Sequence, residues 1–234
     1  MERVDQRELL SHGEIAVEGR IAGSSNQALL VSVSLDGATA LACYKAEAGE
    51  RPLWDFPDGL WRREVAAYEL DRLCGTELVP TTVGREDLPF GPGSLQWWIE
   101  HEGDHYFTLR DRPELAGWLR TLCVVDAIAN NADRKSGHVL FDGVHPWAID
   151  NGLCFHEEEK LRTVIWDWAG EELDEGLIEL ARRVATSDGG GLVEWLSPAE
   201  VALTLDRADA LARSGRFPLP DEDRPWPPYP WPLV

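Results

Sequence analysis

The chain has 234 residues, with 42 acids against 22 bases for a formal net charge of −20. That charge repels nucleic acid and anionic lipid surfaces, and no run of adjacent Lys and Arg gathers the bases on one face. An apolar fraction of 44% with 11 Trp excludes a disordered chain, and no apolar run reaches the ~18–20 residues of a membrane span.

The length fits one large domain or two small lobes around a real core. The opening stretch MERVDQRELLSHGE lacks the charged-then-apolar pattern of a signal peptide. Cys43, Cys74, Cys123 and Cys154 lie far apart in apolar segments with no CxxC pair. They read as reduced core thiols of a cytoplasmic protein, not as a zinc site or disulfide framework.

Residues 5–11 form a short helical candidate. The stretches IAVEGRI, ALLVSVSL and ATALACYK alternate as strands do, parted by AGSSN (Ala22 to Asn26) and by Asp36-Gly37. Three antiparallel strands are expected, with a small Gly-Ser loop between the first two. Lys45 emerges from the third, and such a Lys by itself is usually an edge or snorkelling residue.

Glu47 to Asp58 is an irregular connection whose Trp54 and Phe56 are expected to plug a hydrophobic gap. Asp58 is the predicted cap of a helix over 59–74, which Gly75 ends. Glu64 lies in that helix 19 residues after Lys45. A strand Lys and a helix Glu can form a pair that holds the Lys against phosphates, although a solvated Glu is the plainer reading of this spacing alone. Two further strands are expected at 78–83 and 94–100, around the turn LPFGPG. The polar stretch 101–110 crosses between lobes, so the boundary falls near residue 101. Five strands and one helix precede it, and mostly helices follow. The pattern is α+β.

In the second lobe (102–234), Asp111 with Pro113 in the first turn starts a predicted helix through about Asn130. It feeds a polar loop holding Asn131, Asp133 and Arg134. Val139 to Phe141 and Trp147 to Ile149 then read as a hairpin about Asp142-Gly143, and its second strand delivers Asp150. One acid ends a helix-to-loop passage and the other ends a strand. Phosphoryl transfer calls for such a pair: one carboxylate to accept the nucleophile's proton, another to hold the metal that neutralises the phosphates. Helices are predicted over 167–185 and 198–214, the second opened by the capping box Ser197 to Glu200. A flexible TSDGGG tract separates them. From residue 217 the chain is Pro- and Trp-rich, with seven prolines in its last eighteen residues. It is expected to be extended, with Trp226, Tyr229 and Trp231 packing back on the C-lobe or serving as a ligand for a partner protein.

The stretches YKAEAGERPLWDFP, REVAAYEL, NNADRKSGHVL and AIDNGLCF make the sequence resemble the phosphatidylinositol 3/4-kinase-like branch of the protein-kinase-like fold. The match is to a small actinobacterial type related to type II phosphatidylinositol 4-kinases and HipA-like kinases, and it spans residues 23–155. The paired NADR and AIDNG blocks, whose acids are 17 residues apart, are its more specific part. The resemblance implies a bilobal fold with an antiparallel-sheet N-lobe and a helical C-lobe. It also implies ATP with Mg²⁺ or Mn²⁺ as cofactors and γ-phosphoryl transfer to a hydroxyl.

By the same resemblance, Lys45 contacts the α- and β-phosphates and is positioned by Glu64. The loop Gly23-Ser24-Ser25 covers the phosphates with backbone N–H groups, and Gln96, Trp98 and Ile149 line the nucleotide site. Asp133 is the catalytic carboxylate with Arg134 as its structural or electrostatic neighbour, and Asp150 ligates the metal. His138 stands where the family pattern has Asn, so it is either a ligand favouring Mn²⁺ or a structural residue. The acidic chain makes a soluble or protein acceptor more fitting than an inositol lipid, without strong membrane association. Two alternatives remain: a nucleotide-binding pseudokinase scaffold, and an enzyme of this fold transferring AMP.

Overall fold

Apolar alternation sets the first half of the architecture. The structure, a computed structural model, describes residues 5–21, 27–221, 223 and 226–233. Helix α1 (Gln6–His12) leads into strands β1 (Glu14–Arg20), β2 (Leu29–Leu35) and β3 (Ala38–Ala46). Helix α2 (Leu60–Cys74) follows, then β4 (Thr82–Arg85) and β5 (Gly93–Trp97). The strands form one antiparallel sheet in the order β1-β2-β3-β5-β4. Val31, Val33, Ala42, Tyr44 and Leu95 share one face and bury against Leu9 and Leu10 of α1. The period-2 alternation puts Cys43 and Lys45 on the other face.

The second half is mostly helical: α3 (Tyr106–Leu109), α4 (Ala116–Ala129), α5 (Glu175–Ala185), α6 (Leu192–Trp195) and α7 (Pro198–Ser214). Between α4 and α5 lies the hairpin of β6 (Val139–Phe141) and β7 (Pro146–Ala148). The hairpin turn is fixed by Asp142, whose carboxylate accepts from the N–H groups of Val144 and His145 at 2.8 and 2.7 Å. The larger core joins α4, α5 and α7 to Ala66, Ala67, Leu70 and Cys74 of α2. Helix α2 is therefore buried on nearly every side, between sheet and helices, and its charged residues are satisfied individually. Arg63, for example, pairs with Glu200 of α7 and donates to the Cys154 carbonyl at 2.6 Å. No helix among the described residues is long and apolar enough to cross a membrane.

Several local expectations change. Asp58 does not cap α2. Its N-cap is Gly59, and the carboxylate of the distant Glu50 accepts from the N–H groups of Gly59, Leu60 and Trp61 at 3.0, 3.0 and 2.7 Å. Gly75 does close the helix, in the left-handed conformation at φ 70°. The strand predicted at 78–83 begins only at Thr82, because Leu78 and Val79 donate their N–H groups to the buried Asp71 carboxylate rather than to a ladder. The helix predicted from Asp111 starts at Ala116, and the one predicted from Asp167 starts at Glu175, where Asp174 accepts from Leu177 N–H at 3.0 Å. The glycine tract runs into α6. Phe56 is buried as expected, but Trp54 is 84% exposed. The capping box is present, with Ser197 and Glu200 bonded reciprocally at 3.2 and 2.8 Å.

Candidate active site

Strand β3 carries Lys45 to the sheet face that α2 covers, and Glu64 rises from α2 to meet it. The Lys45 ammonium bonds to Glu64 Oε1 and lies 2.7 Å from Asp150 Oδ1. Glu64 Oε2 meanwhile accepts the N–H of Asn151 at 3.0 Å. One helix acid thus holds the strand lysine and the segment after β7 together. Gly152 permits the approach, since a Cβ there would sit 3.2 Å from Glu64 Oε1. Burial alone would lower the Lys45 pKa, but Asp150 and Glu64 overcome it, so the pKa is raised and the ammonium stays charged. The Asp150 carboxyl is held well below the usual range, chiefly by Lys45 and against the effect of burial. Asp150 has φ 56°, in the left-handed region that Asp enters more readily than most residues. Its side chain remains 41% exposed and so open to a ligand.

The loop after α4 is stitched to the segment after β7. Ala132 N–H donates to Leu153 O at 2.8 Å, Phe155 N–H to Ala129 O at 2.6 Å, and Ile149 N–H to His138 O at 2.9 Å. Asn130 at φ 53° ends α4, and Asn131 orients the loop by accepting from Asp133 N–H at 2.9 Å while donating to Asp126 at 2.9 Å. Asp133 is half-buried beside Lys135, with Nζ 2.6 Å from Oδ2. Burial raises the Asp133 pKa and Lys135 opposes that rise.

Arg134, expected as the structural or electrostatic neighbour of Asp133 in the catalytic loop, is 1% exposed and turned into the protein. It donates to Asp126 at 2.8 and 2.9 Å, to Ile149 O at 2.8 Å and to Asn151 Oδ1 at 2.6 Å. With its donors so engaged it is a positioning residue that ties the two acid-bearing segments together.

His138 Nε2 lies 3.2 Å from Asp150 Oδ2. Burial lowers its pKa to about 4, against the pull of Asp150, so the ring is neutral at physiological pH. Its Nδ1 faces the Lys135 N–H at 3.5 Å, which leaves Nε2 as the nitrogen turned to Asp150. The pair also fits a divalent ion: adjacent ligands of an octahedral Mg²⁺ or Mn²⁺ sit about 3 Å apart, and such ions draw their remaining ligands from phosphates and water. Among the described residues no three His, Cys, Asp or Glu side chains form a metal-holding group unaided.

Of the other predicted ligand-binding residues, Gln96 shares the Lys45 face opposite Cys43, and its buried amide donates to Thr82 Oγ1 at 3.0 Å. Ile149 is half-buried beside the cluster, with its backbone held by His138 and Arg134. Trp98 follows β5, two residues after Gln96. Its indole donates to Glu100 at 3.0 Å and lines a groove of about 400 Å³ with Pro80 and Trp147. Ser24 and Ser25 lie outside the described residues. The sequence reading missed Lys135, two positions after Asp133, and Arg162. The latter donates to Ala132 O at 2.8 Å and lends positive charge to Asp133. Lys135 had a local signal, its place in the acid's own loop. Arg162 had none.

Sheet lobe, helical lobe and the lysine–glutamate–aspartate cluster define a bilobal protein-kinase-like fold. The chain belongs to the family of Protein Rv2133c of Mycobacterium tuberculosis, with which it is 38% identical over 272 aligned positions, covering 98% of this chain and 96% of that protein. Among solved structures it is similar to hydra Fam20 with sugar (TM-score 0.53, 14% identity, 89% of this chain and 86% of that one). It is also similar to the Helicobacter pylori proinflammatory kinase CtkA (TM-score 0.48, 10% identity, 89% and 94%). No family model matches the chain.

Proposed function

We infer that the protein is an ATP-dependent phosphotransferase that moves the γ-phosphoryl of ATP to a hydroxyl of a soluble or protein acceptor. The observation that carries this reading is Lys45, held by Glu64 and reaching Asp150 beside the loop of Asp133. In the reaction Lys45 binds the α- and β-phosphates, and Glu64 fixes its position. By the family resemblance, Gly23-Ser24-Ser25 would cover the phosphates, and Gln96, Trp98 and Ile149 would border the base. Asp133 accepts the proton of the attacking hydroxyl, and its raised pKa improves its match to that task. Lys135 and Arg162 counter the negative charge of the transferring group. Asp150, with His138 as second donor, would hold Mg²⁺ or Mn²⁺, which supplies charge neutralisation on the phosphates.

The narrower affinity to phosphatidylinositol 3/4-kinase-like proteins belongs to this proposal. The net charge of −20 favours a soluble or protein hydroxyl over a lipid headgroup. Incubation with ATP and Mg²⁺ or Mn²⁺ tests the reaction directly: ADP is the expected product. Pyrophosphate in its place would show AMP transfer, and nucleotide binding with neither product would make the protein a pseudokinase.

A further inference from the structure

The Pro-rich segment does return to the helical lobe, but not through its aromatic side chains. Trp226 and Tyr229 are half-exposed and Trp231 is 81% exposed. Among the described residues, Trp226 is the one of the three that meets another ring, that of Trp54, at 6.4 Å. The segment is gripped by its main chain instead. Pro228 O accepts from Thr163 N–H and from the Trp166 indole, both at 3.1 Å, and Leu233 O accepts from Ser136 N–H at 2.7 Å. Pro230, between these anchors, is buried.

The anchors straddle the loop that carries Asp133. Ser136 is in that loop. Thr163 pairs in parallel with Arg134: Arg134 N–H donates to Arg162 O at 3.1 Å and Val164 N–H to Arg134 O at 3.0 Å. Pro228 therefore lies outside Thr163, and five residues on, through bends at Pro228, Tyr229, Trp231 and Pro232, the segment reaches Ser136. Every anchor is a body donor meeting a segment carbonyl, the one kind of main-chain bond that a proline can still make. Such a groove reads the carbonyls of a segment rather than particular side chains.

We propose that this groove is the acceptor-side docking site of the phosphotransfer centre, that it takes a bent, proline-bearing polypeptide by its carbonyls, and that residues 228–233 are its resident occupant. The proposal rests on the phosphotransferase reading and names its acceptor class: a protein segment, which enters by displacing the resident one. Trp226, paired with Trp54, precedes the first anchor by two residues, and the 81% exposed Trp231 presents its ring to a displacing partner.

The test uses the full chain, as wild type, Pro230→Asp (a charge at the buried proline) and Trp226→Ala (a milder release). Amide exchange of Ser136 and Thr163 is followed by NMR with and without a synthetic peptide of residues 226–234. Release is expected to speed exchange at both amides by about tenfold or more in Pro230→Asp and by less in Trp226→Ala, with protection restored by the peptide. Unchanged exchange in both variants, or peptide that restores nothing, overturns the groove. In the same samples, hydrolysis of Mg-ATP by water is expected to rise several-fold on release, with Asp133→Ala as the blank. ATP binding with hydrolysis unmoved by release would place the groove away from the acceptor and overturn the proposal. Absence of an ATP-induced thermal shift would overturn the phosphotransferase reading instead, while the exchange and peptide measurements still decide whether the groove takes a polypeptide.

Discussion

Lys45 Nζ sits 2.7 Å from Asp150 Oδ1 while bonding to Glu64, so a single ammonium joins β3, α2 and the residue that follows the hairpin. The two acids are far apart in sequence and share this one cation. Replacing Lys45 by Met leaves Glu64 buried with no cationic partner, a loss of about 3 kcal/mol by analogy with broken buried pairs. Chemical denaturation of Lys45→Met should show it, together with loss of the ATP-induced thermal shift. Lys45→Met with ATP binding intact would remove Lys45 from the phosphate site.

Asp150→Ala should fold and lose metal-dependent nucleotide binding. A thermal-shift titration with ATP, with and without Mg²⁺ and Mn²⁺, reads both properties at once, because a ligand that binds only the native state raises the melting temperature. Full metal dependence in the variant would sink the assignment of Asp150 as ligand.

His138 makes stability pH-dependent in a window of its own. Its folded pKa is about 4, below the ordinary 6.5, so the unfolded chain binds more protons between those values. Stability therefore falls as pH drops from about 6.5 toward 4, by on the order of 3 kcal/mol. His138→Asn should flatten that part of the profile in urea melts across pH. If His138 also ligates metal, the same variant moves the preference from Mn²⁺ toward Mg²⁺, and an unmoved preference leaves the histidine structural.

Arg134→Met removes the cation from buried Asp126 and the tie to Asn151. A loss of about 3–5 kcal/mol is expected, the cost of an uncompensated buried charge. Arg134→Lys should recover only part of it, since an ammonium cannot repeat the paired bonds to Asp126. If Arg134 instead acted on substrate, Arg134→Met would keep its denaturation midpoint and lose only turnover.

Glu50→Gln tests the distant cap of α2. The amide retains one oxygen for three N–H donors, so a loss of about 1 kcal/mol is expected, with Asp58→Ala close to neutral. The reverse order would restore Asp58 as the cap.

The sequence by itself determined the elements whose signals are local. Period-2 alternation laid out β1 to β3, Gly75 and the Ser197–Glu200 box marked helix ends, and Asp142-Gly143 marked the hairpin. The spacing of Asp133 and Asp150 about that hairpin pointed to a phosphoryl-transfer site, because a short hairpin must return its second strand beside the loop it left. Only the tertiary structure decided where partners distant in sequence supply the missing bonds. Glu50 displaced Asp58 as a cap, and Asp71 diverted Leu78 and Val79 from the sheet. Asp126 drew Arg134 inward, and Arg162 arrived at Asp133 from a separate segment. Trp54 and Trp231 show the same limit from the other side: their apolar rings read as buried, yet the Pro-rich segment is held by carbonyls, and main-chain bonding leaves no mark on side-chain composition. Local propensity is written residue by residue. The satisfaction of buried charges and backbone groups is settled only when the whole chain has closed around them.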